Sequence, residues 1–257
     1  MPHAHTARAC LPSKRRTEGR CCALWRDDPP RRPDPATYSQ SEVEASGGEP
    51  TWNSPDLWTN HWSPWRLYDE IQVRVRNLSP DTSAVNAIVQ LEVAPFGIGF
   101  DWEPLGGHVI GLAPGEERDL FYPLPEALRT GPPRISTRVR IQHASDTRTI
   151  NNVGEQTIAG VFTSEAGRDL TFVFPVRNPA AETQELSLGA LSNDVGAAVQ
   201  LPGGAFGPHE QRNAVLTLQI PDSLHGDGDL RREITVVARN ALNVRIGGAT
   251  FIVRIDD

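Results

Sequence analysis

Cysteine is nearly missing from this chain. Of 257 residues only Cys10, Cys21 and Cys22 carry a thiol, all before the body of the sequence begins. No disulfide can staple that body, and no Cys/His spacing of the zinc-binding kind exists. Lysine is scarcer still: Lys14 is the only one among 25 basic residues, a bias that suggests a GC-rich genome more than a function. Long apolar runs are absent as well. No stretch approaches the roughly 20 residues of a membrane-spanning helix. The start, Met-Pro-His-Ala-His, lacks the apolar core of a signal peptide. If Met1 is the true start, a cytoplasmic or assembly-associated protein is expected; a start assigned too far upstream would leave the cell exterior open.

The motifs of common enzymes are missing too. There is no H-E-x-x-H, no G-x-S-x-G, no P-loop and no G-x-G-x-x-G. The body histidines, His61, His108, His143, His209 and His225, fall one to a segment with no metal spacing. No catalytic residue, cofactor or metal is therefore expected, and the chain is read as a non-enzyme. Net charge is −7, and the body after position 32 is more acidic, with 17 basic against 29 acidic residues. Such a body is a poor general binder of nucleic acid.

What is present is a repeat. Val73-Arg74-Val75-Arg76-Asn77 runs into Leu78-Ser79-Pro80, and Phe174-Pro175-Val176-Arg177-Asn178 runs into Pro179. Further echoes keep the order: Pro114 to Arg118 against Pro208 to Arg212, and Ile135 to Ile141 against Ile234 to Asn240. The interval of about one small domain implies two related units in tandem. Each unit is rich in short alternating runs. Ile71, Val73 and Val75 form one apolar row, and Val85, Ala87, Val89, Leu91 and Val93 another. The second unit has Leu170 to Val176, Ala214 to Ile220, Ile234 to Ala238 and Phe251 to Ile255. Period-2 runs at this spacing, with 22 Gly and 22 Pro and no long amphipathic helix, predict all-β sandwiches. The expected layout is a disordered Pro/Arg-rich tail over 1–50, a first sandwich over 51–148 and a second over 149–257. Asp146 to Glu155 is read as a polar hinge between them.

Ser54-Pro55-Asp56-Leu57-Trp58, then Val73 to Asn77, then Ala113-Pro114-Gly115-Glu116 resemble the CARDB-like (cell-adhesion-related) and similar bacterial immunoglobulin-like domains. Residues 54–144 carry the resemblance best. The second unit has Pro208-His209-Glu210 where Pro-Gly is expected. The resemblance implies two tandem immunoglobulin-like sandwiches and a spacer, adhesion or assembly role, with no catalytic residues to carry over.

Candidate binding residues are aromatic. Trp52, Trp58, Trp62 and Trp65 crowd into one segment beside His61 and Tyr68, and Phe96, Phe100 and Trp102 follow on a glycine-broken hairpin. Exposed, they would make a platform for a protein partner or a sugar ring; buried, they would plug the first sandwich. Arg74, Arg76, Arg134, Arg138 and Arg140 form either a basic stripe or a solvated mixed-charge face with Glu92, Glu116 and Glu117. Asp146, Asn151, Asn152 and Glu155, and Asp222, Asp227 and Asp229, offer oxygen ligands for calcium or simply turn chemistry. The expected function is a structural or accessory subunit that docks onto a larger bacterial assembly, with a protein partner. The alternative is an adhesion module for glycan or cell-surface polysaccharide.

Overall fold

The computed structural model describes residues 31–59, 70–129, 135–192, 195–224 and 230–256. These residues are all-β apart from two short helices and two single 3-10 turns. Its first part contains β1 (Pro35–Ala36), α1 (Gln40–Ala45), β2 (Leu57–Trp58), β3 (Glu70–Asn77), β4 (Ala84–Ala94), β5 (Glu103–Leu112) and β6 (Glu117–Pro123). After α2 (Glu126–Arg129) come β7 (Ser136–Gln142) and β8 (Val153–Gln156). β1 and β2 lie one after the other along one side of β3, with β6 on its other side; the facing sheet has the order β5-β4-β7-β8.

The second part contains β9 (Ile158–Glu165), β10 (Asp169–Arg177), β11 (Leu186–Leu191), β12 (Gly196–Gln200), β13 (Gln211–Gln219), β14 (Leu230–Asn240) and β15 (Arg245–Asp256). Its sheets are β10-β13-β12 and β11-β14-β15-β9, the last pair parallel. Lettered in chain order from β9, these are strands B, E and D facing C, F and G, the order of an immunoglobulin-like sandwich, with the first strand added beside the last.

Alternation builds both cores. Ile71, Val73 and Val75 of β3 meet Val89, Leu91 and Val139, while Phe174, Val176, Leu216, Leu218, Phe251 and Val253 pack in the second sandwich. One expected row is corrected: Val85 is exposed, because a register shift follows Ala84 and Asn86 adopts a positive φ of 61°. The extra residue turns Ala84 inward and Val85 outward.

Two expected boundaries also move. Residues 31–50 are folded, which corrects the tail over that stretch; residues 1–30 of the expected tail lie outside the described residues. β1 pairs with the end of β3, and Ser39 and Gln40 are buried. Six residues are too few for a stable isolated helix, so α1 stands on tertiary contacts. Gln40 Nε2 donates to the carbonyls of Thr51 (2.9 Å) and Glu155 (2.7 Å), and its Oε1 accepts from the Glu155 amide (3.1 Å). The hinge is the second correction. Asn151 and Asn152 are buried, β8 completes the first sandwich, and a single residue, Thr157, separates β8 from β9.

Candidate functional site

The densest constellation is the junction of the two sandwiches. Thr157 is buried, and its amide donates to Trp52 (2.9 Å), its carbonyl accepts from Thr250 (2.8 Å) and its hydroxyl donates to Ser136 Oγ (2.8 Å). Trp52 lies against β15 with its ring so near Gly248 that a Cβ there would stand 2.6 Å away. Its amide donates to Thr250 Oγ1 (3.0 Å) and its indole N–H to Glu155 Oε2 (3.1 Å). The loop after β4 enters the same region. Phe96 and Ile98 belong to the core of the second sandwich, Ile98 bridges to Gly247, and Gly99, at a φ of 78°, sits so near the Arg177 carbonyl that only glycine fits. Glu44 of α1 pairs with Arg239 and Arg245, and Arg245 lies over the Trp52 ring at 5.7 Å. Burial holds the Glu155 carboxyl above its usual range, with the Trp52 hydrogen bond and the nearby arginines only partly opposing it.

The aromatic candidates therefore part company. Trp52 and Phe96 are buried and cannot meet a partner, which corrects their assignment to an exposed platform; Phe100 is partly buried against the second core. Each is consumed by an interface between sandwiches rather than offered to solvent. Trp102 is half-buried beneath the Arg138 guanidinium at 4.4 Å. Trp58 is 36% exposed on the outer face of the β3 sheet, with Arg74 over its ring at 4.9 Å. His61, Trp62 and Trp65 lie outside the described residues, as does Tyr68. Phe121, not among the sequence candidates, is an exposed aromatic at the outward position of a strand whose Leu120 and Tyr122 face the core.

The basic stripe does not form. Arg74 and Arg76 lie on one sheet of the first sandwich, Arg138 and Arg140 on the other, and Arg134 is outside the described residues. All four described arginines are matched. Arg74 pairs with Asp119 (2.8 Å), Arg76 with Asp56 (2.5 Å) and Glu117 (3.1 Å), and Arg138 and Arg140 share Glu92 (2.5 and 2.9 Å). The Arg74 hydrogen bond holds the Asp119 carboxyl below its ordinary range. At the former hinge, Asp146 accepts from the Arg148 amide and from Asn152 Nδ2, and Asn151 Nδ2 donates to Asp34: turn and cross-element bonding. Asp227 and Asp229 lie outside the described residues. Among the described residues no group of three or more His, Cys, Asp or Glu is placed to hold a metal ion. None of their helices is long and apolar enough to cross a membrane.

No protein-family model matches the sequence, and no curated protein is similar to it. Among solved structures, a protein of unknown function from Porphyromonas gingivalis aligns at TM-score 0.27 and 12% identity, over 73% of this chain and 92% of that one. A Salmonella alpha-2-macroglobulin mutant aligns at TM-score 0.30 and 10% identity, over 73% of this chain and 15% of that one. The CupB6 tip adhesin from Pseudomonas aeruginosa aligns at TM-score 0.22 and 7% identity, over 72% and 90%. Likeness this distant carries no argument about function.

Proposed function

We propose that this chain is a non-catalytic structural or accessory subunit that docks onto a larger bacterial assembly through its first sandwich. The observation that carries this reading is the open edge of β5. That strand ends its sheet, so its outward N–H and C=O groups meet no further strand among the described residues. From Pro104 to Leu112 it bears no acidic or basic residue other than His108. Glu103, Pro104 and a bulge at Leu105 guard only the start of the strand; from Gly106 to Leu112 the lysines and inward-pointing charges that usually protect such an edge are absent. Beside the edge, Val109 is 67% exposed and pairs with the exposed Ile88. An extended segment of a partner protein adding to β5 would gain main-chain hydrogen bonds and cover these apolar side chains. The many contacts at the junction support the same role, since they join the two sandwiches into one compact unit.

The test is capture from the source organism's lysate with the full chain beside its Val109→Lys variant. A stoichiometric protein partner held by the wild type and lost by the variant is expected. A partner retained equally by both would sink the β5 edge, and no partner at all would sink the assembly role.

A further inference from the structure

Three strands of the first sandwich bring Trp58, Gln72 and Phe121 into one row. Trp58 pairs with Gln72 across β2 and β3, and Gln72 pairs with Phe121 across β3 and β6. Directly paired residues share a face. Leu57, Ile71, Val73, Leu120 and Tyr122 take the core side, so this row is the outer one. Trp58 is 36% and Phe121 48% exposed. Two aromatic side chains thus stand two strand spacings apart, about 9.6 Å between their backbones, with an amide between them.

The neighbouring polar groups are already set. Gln72 Nε2 donates to Asp119 Oδ2 (2.9 Å), and Arg74 makes a two-pronged pair with the same carboxylate (2.8 and 3.2 Å). Arg76 is held by Asp56 and Glu117. With each guanidinium described on this face matched by a carboxylate, the described residues leave no surplus positive charge to draw a phosphate or an acidic polymer. The same ion pairs interrupt the apolar centre that a protein–protein interface needs.

A neutral polyhydroxylated chain fits what remains. The C–H faces of sugar rings stack on aromatic side chains, while hydroxyls can both donate to and accept from amide, guanidinium and carboxylate groups. We propose that Trp58, Gln72 and Phe121 form a platform for an extended, neutral β-linked polysaccharide running across β2, β3 and β6, with one sugar ring over Phe121 and another against the exposed side of Trp58, whose ring already carries the Arg74 guanidinium at 4.9 Å.

The test titrates the full chain with cellohexaose and chitohexaose by calorimetry. Saturable binding of at least one is expected, weakened about tenfold or more by Phe121→Ala and by Trp58→Ala. Gln72→Ala should weaken it less, and Val173→Ala, exposed on β10, not at all. Should Trp58→Ala lower thermal stability, Phe121→Ala decides alone. Absence of saturable binding to both sugars overturns the proposal, as does binding that Phe121→Ala leaves unchanged.

Discussion

The corner after β3 and the corner after β10 are assembled from the same parts. In the first, Asn77 Nδ2 donates to the carbonyls of Thr82 (2.8 Å) and Ala113 (3.1 Å), and Oδ1 accepts from Ser79 (3.2 Å). In the second, Asn178 Nδ2 donates to Glu182 (2.8 Å) and Gly207 (2.8 Å), and Oδ1 accepts from Ala180 (2.9 Å). Behind each asparagine a glutamate closes the facing turn: Glu116 accepts from the Ala113 amide and pairs with Arg118, and Glu210 accepts from the Gly207 amide and pairs with Arg212. The junction shows no such repetition. The first sandwich gives it Gln40, Trp52, Phe96 and Glu155, while the second gives Gly247, Gly248, Thr250 and Arg245. Repeated residues build each sandwich; unrepeated ones unite the two.

The strongest way to break that division is at Trp52. Trp52→Ala removes a fully buried indole and strands Glu155, at a cost of about 3–5 kcal/mol. Because the loss falls on the junction, calorimetry should show one unfolding transition becoming two. A single transition retained at lower temperature would mean that the sandwiches are coupled elsewhere. The corners come next. Asn77→Ala and Asn178→Ala each remove a buried amide that bonds one buried and two part-buried carbonyls and should cost about 2–3 kcal/mol by denaturant unfolding. Markedly unequal losses would show that the corners match in geometry but not in energy.

The legible and illegible parts of this molecule divide along the same line. Alternation at Ile71, Val73 and Val75 and the Asn-Pro corners are local patterns, so both sandwiches could be read from a few residues at a time. Gln40 and Trp52 could not, because their partners are Glu155 and Thr250, the latter 198 residues away from Trp52. A segment ordered by such contacts has no period of its own, and residues 31–50 therefore looked like tail. One signal was available. Gly247 and Gly248 sit inside a strand, where glycine often marks the close approach of another group, here the Trp52 ring and the loop at Gly97. On the outer face of the β3 sheet, Trp58 was visible as a tryptophan, but the row it shares with Gln72 and Phe121 depended on two strand pairings that sequence alone does not give.

Glu155 sharpens the contrast through pH. Its carboxyl titrates above its ordinary value because it is buried at the junction. A raised carboxyl binds its proton more tightly in the folded state. Its contribution is thus fully present below the unfolded value near 4.5 and is lost as pH rises through the folded value. Glu155→Gln keeps an acceptor for the Trp52 N–H without the charge. Its stability relative to wild type should rise as pH is raised from 4 towards 7, read by denaturant unfolding at each pH. Glu116 and Glu210, held low by their hydrogen bonds, have the opposite sign. A wild-type-to-variant difference that stays flat with pH would remove Glu155 from the account.

The smallest effect lies where the two corners differ in one residue. Gly115 and His209 occupy the same place in their turns, one before the closing glutamate, with φ of 68° and 54°. The Gly115 amide donates to the carbonyls of Asn77 and Ser79, and the His209 amide to that of Ala180. A side chain pays for a left-handed backbone where glycine does not, although glycine gives back some of the gain through its freer unfolded chain. His209→Gly should therefore stabilise the second sandwich by about 0.5–1 kcal/mol, and Gly115→His should destabilise the first by a similar amount. No Cβ contact lies within 4 Å of Gly115, so the second change tests backbone conformation without a clash. Opposite shifts in thermal midpoint would establish that the two turns are interchangeable; shifts of the same sign would show that His209 has contacts that repay its strain.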